Sequence, residues 1–104
     1  MPVRKFERIF KATLAKNNMK GGAWKVTYVI TEDRPNGLGG YDTVEIDNNV
    51  TAWSNASAGK RWIKDRVVNL TTRKSIKFEV ANEDENGKPI KLVGTLIYKQ
   101  GPTL

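Results

Sequence analysis

The clearest chemistry in this sequence belongs to Lys and Arg side chains rather than to catalytic groups. Residues 60–77 carry seven basic residues and one acid, a net charge of +6. Such cations can neutralise phosphates, while exposed Trp and Tyr rings can stack on unpaired bases at about 1–3 kcal/mol per base. This combination is typical of surfaces that hold single-stranded nucleic acid. The candidate binding residues are Lys60, Arg61, Lys64, Arg66, Arg73, Lys74 and Lys77, with Trp24, Tyr41 and Trp53 as stacking aromatics.

Each tryptophan has a core position as its alternative role, because a chain of 104 residues needs large side chains in its interior. Trp62 lies on the apolar stripe of a predicted helix, so we expect it in the core. Trp24 favours the core as well, and Trp53 fits either role. Tyr41 follows two glycines and is the aromatic residue that we most expect to be exposed.

The residue types that most enzymes use are missing. The chain has no His and no Cys, which removes the commonest general base, the commonest transition-metal ligands and the thiol nucleophile. Ser57 and Lys60 have an S-x-x-K spacing, but a serine at the start of a helix needs no catalytic explanation. Asp42 and Glu45 would face opposite sides of a strand and so would not share a metal ion. We therefore expect a binding protein rather than an enzyme, with no metal and no cofactor.

The net charge of +7 is distributed in alternating segments. Residues 1–30 carry seven basic residues and one acid, giving +6, and residues 31–59 carry one basic residue and five acids, giving −4. Residues 78–104 carry three basic residues and four acids, giving −1. We predict that the fold brings the two basic segments onto one surface, where their fields add and attract a polyanion. The alternative is that the excess charge serves solubility alone.

Alternation of apolar and polar residues predicts about six strands. Residues 5–15 fit a strand or a helix, and the turn-rich residues 17–22 favour a strand in a long first hairpin. Pro and Gly interrupt residues 32–40, which we expect to form a flexible loop. Asn and Asp at residues 47–49, and the pair Asn86-Gly87, predict tight hairpin turns. The predicted strands cover residues 5–15, 23–31, 41–46, 50–54, 75–81 and 90–99.

One helix is predicted at about residues 56–69, between strands four and five. Asn55 or Ser57 can cap its first turn, and its apolar stripe contains Ile63 and Val67. A chain of this length forms one domain, residues 1–104. The expected fold class is mainly β, a β-rich α+β arrangement: a small antiparallel open barrel, OB-like, or a strongly bent sheet of five or six strands. The alternative is an α+β sheet with two helices on one face.

These patterns predict a nucleic-acid-binding small barrel for single-stranded DNA or RNA. The alternative is a protein-interaction or assembly module, such as an accessory or phage-type subunit, that binds an acidic protein or forms a homodimer. A small ligand inside a barrel is a third possibility. The absence of cysteine and of an apolar leader segment favours a cytoplasmic location, and no segment has the length of a membrane helix.

Overall fold

The computed structural model describes residues 6–16 and 23–100. Within these residues, five strands form one antiparallel sheet in the order β3-β2-β1-β5-β4, and the only helix, α1, lies between β3 and β4 in sequence. The predicted loop at residues 17–22 lies outside the described residues. The elements are β1 (Phe6–Lys16), β2 (Trp24–Pro35), β3 (Tyr41–Trp53), α1 (Ala56–Leu70), β4 (Phe78–Glu83) and β5 (Pro89–Gln100).

The segment that fits either a strand or a helix forms the central strand, β1. It pairs with β2 on one side and with β5 on the other. Phe10, Ala12 and Leu14 are fully buried on one face, whereas Lys11 is exposed on the opposite face. Because only a period of two separates these residues in this way, the strand prediction is confirmed.

The predicted turn at residues 47–49 is wrong, since β3 continues through it as one edge strand. Ile30 of β2 pairs with Asp47, and Thr31 pairs with Glu45. Ile46 is therefore an extra residue in β3, as in a β-bulge, which bends a strand without ending it. The described sheet thus has five strands rather than six, and α1 follows the third strand, not the fourth as predicted.

Helix α1 matches the predicted range to within one residue at its end. Asn55 is the N-cap, because its side-chain oxygen accepts a hydrogen bond of 2.8 Å from the N–H of Ala58. Ile63 and Val67 are fully buried between α1 and the sheet. These two residues set the rotation of the helix about its own axis.

Gly59 marks the closest approach of α1 to the sheet. A Cβ atom at this position would lie 2.7 Å from Val26 Cγ2 and 3.1 Å from Leu14 Cδ2. Both of these side chains are fully buried and cannot move away easily. Glycine therefore gives the helix its close contact with β1 and β2, at the expense of helix propensity.

Gly94 of β5 is a second position where a side chain has little room. A Cβ atom there would lie 3.0 Å from Phe78 Cδ1 and 3.1 Å from Ile76 Cδ1. Helix α1 covers β1, β2 and β3. Ile76 and Phe78 pack against the same core from the segment at the start of β4, so they extend the apolar layer toward β5.

The side of the sheet that faces away from α1 is called the open face here. No described segment packs against it, and β3 and β4 are the unpaired edges of an open sheet within the described residues. Ile97 is 53% exposed on this face. No helix in the described part of the chain has the length and apolar character needed to cross a membrane. The open face carries Ile9, Lys11, Thr13, Lys25, Thr27, Val29, Lys91, Val93, Thr95, Ile97 and Lys99.

We expect Gly59→Ala to lower the free energy of unfolding by about 1–3 kcal/mol, because the new methyl group must displace Val26 or Leu14 in a packed core. Helix propensity alone would predict the opposite result, a more stable variant, because it favours Ala over Gly. Urea unfolding followed by circular dichroism measures the change. Asn69→Ala, at an exposed position of the same helix, is the control and should be neutral or slightly stabilising. A Gly59→Ala protein as stable as the native chain would contradict the close contact.

Candidate nucleic-acid interface

The basic residues that follow β3 lie on one flank of α1 and in the loop after it. Ile63 and Val67 face the sheet, so the helical period of 3.6 residues places Lys60, Lys64 and Arg61 on the same outward flank. Lys60 Nζ lies 6.0 Å from the centroid of the Phe78 ring, which shows that this flank faces the segment leading into β4. The basic surface, as we call it, consists of the exposed residues Lys60, Arg61, Lys64, Arg73, Lys74 and Lys77.

Arg66, predicted as a seventh member, lies on the opposite flank of α1. Its guanidinium contacts the Asp65 carboxylate at 3.0 Å, and the side chain is partly buried. Trp62 shares this flank, with its ring centroid 5.6 Å from that of Tyr28. Burial raises the pKa of the Tyr28 hydroxyl, and the Arg66 charge partly opposes this effect. Arg66 therefore belongs to the junction between helix and sheet rather than to the basic surface.

Most of the described cations of residues 1–30 do not join the basic surface, although the sequence predicted one shared surface. Lys11 and Lys25 project from the open face, opposite α1, because neighbouring residues of a strand face opposite sides. Arg8 is on the helix side but is engaged in an ion pair with Glu32. Arg4, Lys5 and Lys20 lie outside the described residues. Lys16, two residues after the buried Leu14, is exposed on the helix side at the end of β1. The described positive surface therefore comes mainly from residues 60–77.

Glu32 lies between two arginines at the end of the core. Its side chain is only 4% exposed, and its two carboxylate oxygens accept hydrogen bonds of 2.7 Å from Arg8 Nε and Arg34 Nε. The bonds from Arg34 and then Arg8 hold the pKa of Glu32 below its usual range, although burial acts in the other direction. The same contact raises the pKa of Arg8. Both arginines therefore neutralise a buried carboxylate, and the Arg8 side chain is also only 24% exposed.

Of the three predicted stacking aromatics, Trp24 and Trp53 are cross-strand partners at one end of β2 and β3, and Tyr41 is at the other end. Trp24 is 9% exposed and belongs to the core, so its ring does not face a ligand. Trp53 is half-buried at the other end of β3 from Tyr41, and its indole N–H is buried without a hydrogen-bond partner among the described residues. Tyr41 is 71% exposed, as predicted, but lies at the far end of the β2–β3 hairpin. The structure brings none of them to the basic surface.

Sequence reasoning missed the order in residues 35–41, which we call the hairpin tip. β2 continues to Pro35, beyond the predicted start of the flexible loop. Asn36 Oδ1 accepts hydrogen bonds from the N–H groups of Leu38 at 2.8 Å and Gly40 at 3.2 Å. Leu38 is 91% exposed on this ordered turn. The signal that could have revealed the order is an Asn just before glycines, where its side chain can bond to the backbone ahead of it.

Glu32→Gln should lower the free energy of unfolding at neutral pH by about 2 kcal/mol, because it leaves two arginines without their counter-charge. The ionised form of Glu32 stabilises the fold above the ordinary glutamate pKa of about 4.3, and this contribution disappears as the pH falls through its lowered pKa. Urea unfolding at a series of pH values should therefore show the native and variant proteins converging in acid. Glu79→Gln, at an exposed position of β4, should change little at any pH. A constant difference between native and Glu32→Gln proteins down to strongly acidic pH would exclude the ionic contribution.

No group of His, Cys, Asp or Glu in the described residues could hold a metal ion. The basic surface can recognise a ligand through the positive charges and the N–H donors of its Lys and Arg side chains. Comparison of the chain with protein-family models, curated proteins and solved structures finds no match.

Proposed function

We propose that this protein binds nucleic acid through phosphate contacts made by the basic surface. The observation that carries the proposal is the concentration of six exposed Lys and Arg side chains on one flank of α1 and in the loop that follows it. The acid within this segment, Asp65, is paired with Arg66. A cation cluster of this kind releases condensed counterions when it meets a phosphate backbone, which supplies a sequence-independent binding free energy.

The spacing of the cations suits a run of phosphates. Lys60 and Lys64 are one helical turn apart, which separates their Cβ atoms by about 5–6 Å. Long, flexible side chains at that spacing can reach neighbouring phosphates of one strand. The proposal needs no OB-like barrel, the finer form of the predicted architecture, because these residues lie on the helix and its loop. A cytoplasmic location, favoured by the absence of cysteine, would give access to RNA and DNA.

Base stacking contributes little in this proposal. Trp24 is in the core and Tyr41 is remote from α1, so phosphate contacts supply most of the affinity. We therefore expect little preference for base sequence, since contacts to phosphate and sugar carry no direct sequence information. A protein-interaction or assembly role is the second candidate, and the exposed hairpin tip is the observation that favours it.

Labelled single-stranded and duplex oligonucleotides, titrated with the protein at low salt and followed by fluorescence anisotropy, test the proposal. We expect the double variant K60E/K64E to bind at least about tenfold more weakly, a loss of about 1.4 kcal/mol. For a single strand, the logarithm of the association constant should fall with the logarithm of salt concentration with a slope of magnitude up to about 4, since six cations at about 0.7 per phosphate contact set the upper limit.

The matched control is K11E/K25E, which makes the same change in net charge on the open face. It should retain most of the affinity, with the loss limited to the long-range effect of net charge. Equal losses in the two variants would show that net charge alone attracts the oligonucleotide. The absence of binding by the native protein at low salt would refute a nucleic-acid role.

A further inference from the structure

The outer part of the β2–β3 hairpin extends past the described pairing of β2 with β1, which ends at Glu32. The last three residues of β2 and the first three of β3 are exposed. At the tip, the side chains of Leu38 and Tyr41 are 91% and 71% exposed. These two large side chains are therefore available for contact with another molecule.

The hairpin tip is held in one conformation before any partner binds. The Asn36 side-chain oxygen accepts from two backbone N–H groups, and the backbone N–H of Asn36 donates to the Gly40 carbonyl at 3.1 Å. Gly37 and Gly39 have φ values of 79° and 87°, a conformation that suits glycine. Because the tip is already ordered, docking Leu38 loses little conformational entropy.

The rim of the hairpin tip is acidic. Asp33, Asp42 and Glu45 are exposed on the two strands that lead to it. Arg34, which follows Asp33 in β2 and pairs with Asp42 of β3, has its Nε bonded to the buried Glu32. An acidic rim repels phosphates, so nucleic acid is excluded as the partner of the tip, and a surface rich in Lys and Arg is favoured.

We propose that the hairpin tip of one copy of this protein docks on the basic surface of a second copy. The charges are complementary, since exposed Asp33, Asp42 and Glu45 surround the tip, whereas the basic surface exposes six Lys and Arg side chains. Val68, 52% exposed on α1 one turn from Lys64, provides an apolar contact for Leu38. This inference does not require nucleic-acid binding, but it uses the same basic surface.

The geometry of this contact determines the kind of assembly. Tip and basic surface are different parts of the chain, so each copy can bind a neighbour through either one. Reciprocal docking of two copies gives a closed two-fold dimer, and one-way docking gives an open chain or a ring. A contact made by one turn buries far less than the roughly 1,200–2,000 Å² of a stable interface. Association is therefore weak, dependent on concentration and sensitive to salt.

Sedimentation velocity of the native chain at low salt, from micromolar to submillimolar concentration, tests the inference. We expect a continuous shift to larger species, which moderate salt reverses. Leu38→Asn should weaken the association several-fold, because it removes the apolar anchor while retaining the turn. A native chain that stays monomeric throughout the range, or a Leu38→Asn chain that assembles as well as the native one, would overturn it.

Charge reversal provides a sharper test. D33K/D42K, with a basic tip, and K60E/K64E, with an acidic helix flank, should each be monomeric alone. A mixture of the two should assemble, because the basic tip of the first fits the acidic flank of the second. Assembly that neither variant affects but that K11E/K25E abolishes would place the contact on the open face and refute the inference.

The outcome can be separated from that of the nucleic-acid proposal. D33K/D42K leaves the basic surface intact, so it should bind oligonucleotide at least as well as the native chain. Oligonucleotide added to the native assembly should dissociate it, since both ligands use one surface. Assembly without oligonucleotide binding would support this inference alone, and oligonucleotide binding by a strict monomer would support only the earlier proposal. Circular dichroism and thermal unfolding show that each variant is folded.

Discussion

Successive residues of a strand must face opposite sides of the sheet, and in the described part of the chain one helix covers one of those sides. This constraint decides where each charge lies. Phe10 is buried under the helix, so its neighbour Lys11 must be on the open face. Val26 is buried as well, so its neighbour Lys25 is also on the open face. A basic segment of sequence is thereby divided between two surfaces. On a helix, by contrast, residues three or four positions apart lie on the same flank. Several cations of one segment can therefore lie together on α1, which is where half of the basic surface forms.

The lengths of the elements determine what the helix leaves uncovered. Fifteen residues of α1 extend about 22 Å at 1.5 Å per residue, whereas twelve residues of β2 extend about 40 Å at 3.3 Å per residue. Gly59 fixes the first turns of the helix over Val26 and Leu14, so the uncovered length lies at the opposite end of the sheet. There the ion pairs of Glu32 close the core. Beyond them no described helix or strand covers the hairpin.

Much of this arrangement follows from sequence, and the exceptions have physical causes. Period-two alternation correctly predicted the strand that begins near residue 23, and the Asn cap located the start of α1. The turn at residues 84–88 was also correct, with Gly87 at a φ of 79°. The break predicted at residues 47–49 failed because Asn and Asp are tolerated in an edge strand, where an extra residue is absorbed as a bulge.

The candidate site was harder to predict than the fold. The helical period could place Lys60 and Lys64 together, and it could also have separated Arg66 from them. No local pattern indicates that Arg8 and Arg34 bond to Glu32, because the first of these contacts joins residues far apart in sequence. The exposure of an aromatic ring likewise depends on which elements cover it. Charge summed along a sequence therefore overestimates the charge available at one surface.

The strand edges limit how this sheet can meet other chains. On β3, the side chains of Asp47 and Asn49 accept hydrogen bonds from the N–H groups of Asn48 and Val50, at 2.9 and 2.8 Å. On β4, Asn82 accepts from the N–H of Glu83 at 3.0 Å. A strand added to either edge would have to displace these bonds, which is one way in which proteins prevent edge-to-edge pairing. With both edges protected in this way, contacts through side chains of the helix flank and the hairpin tip are favoured over extension of the sheet.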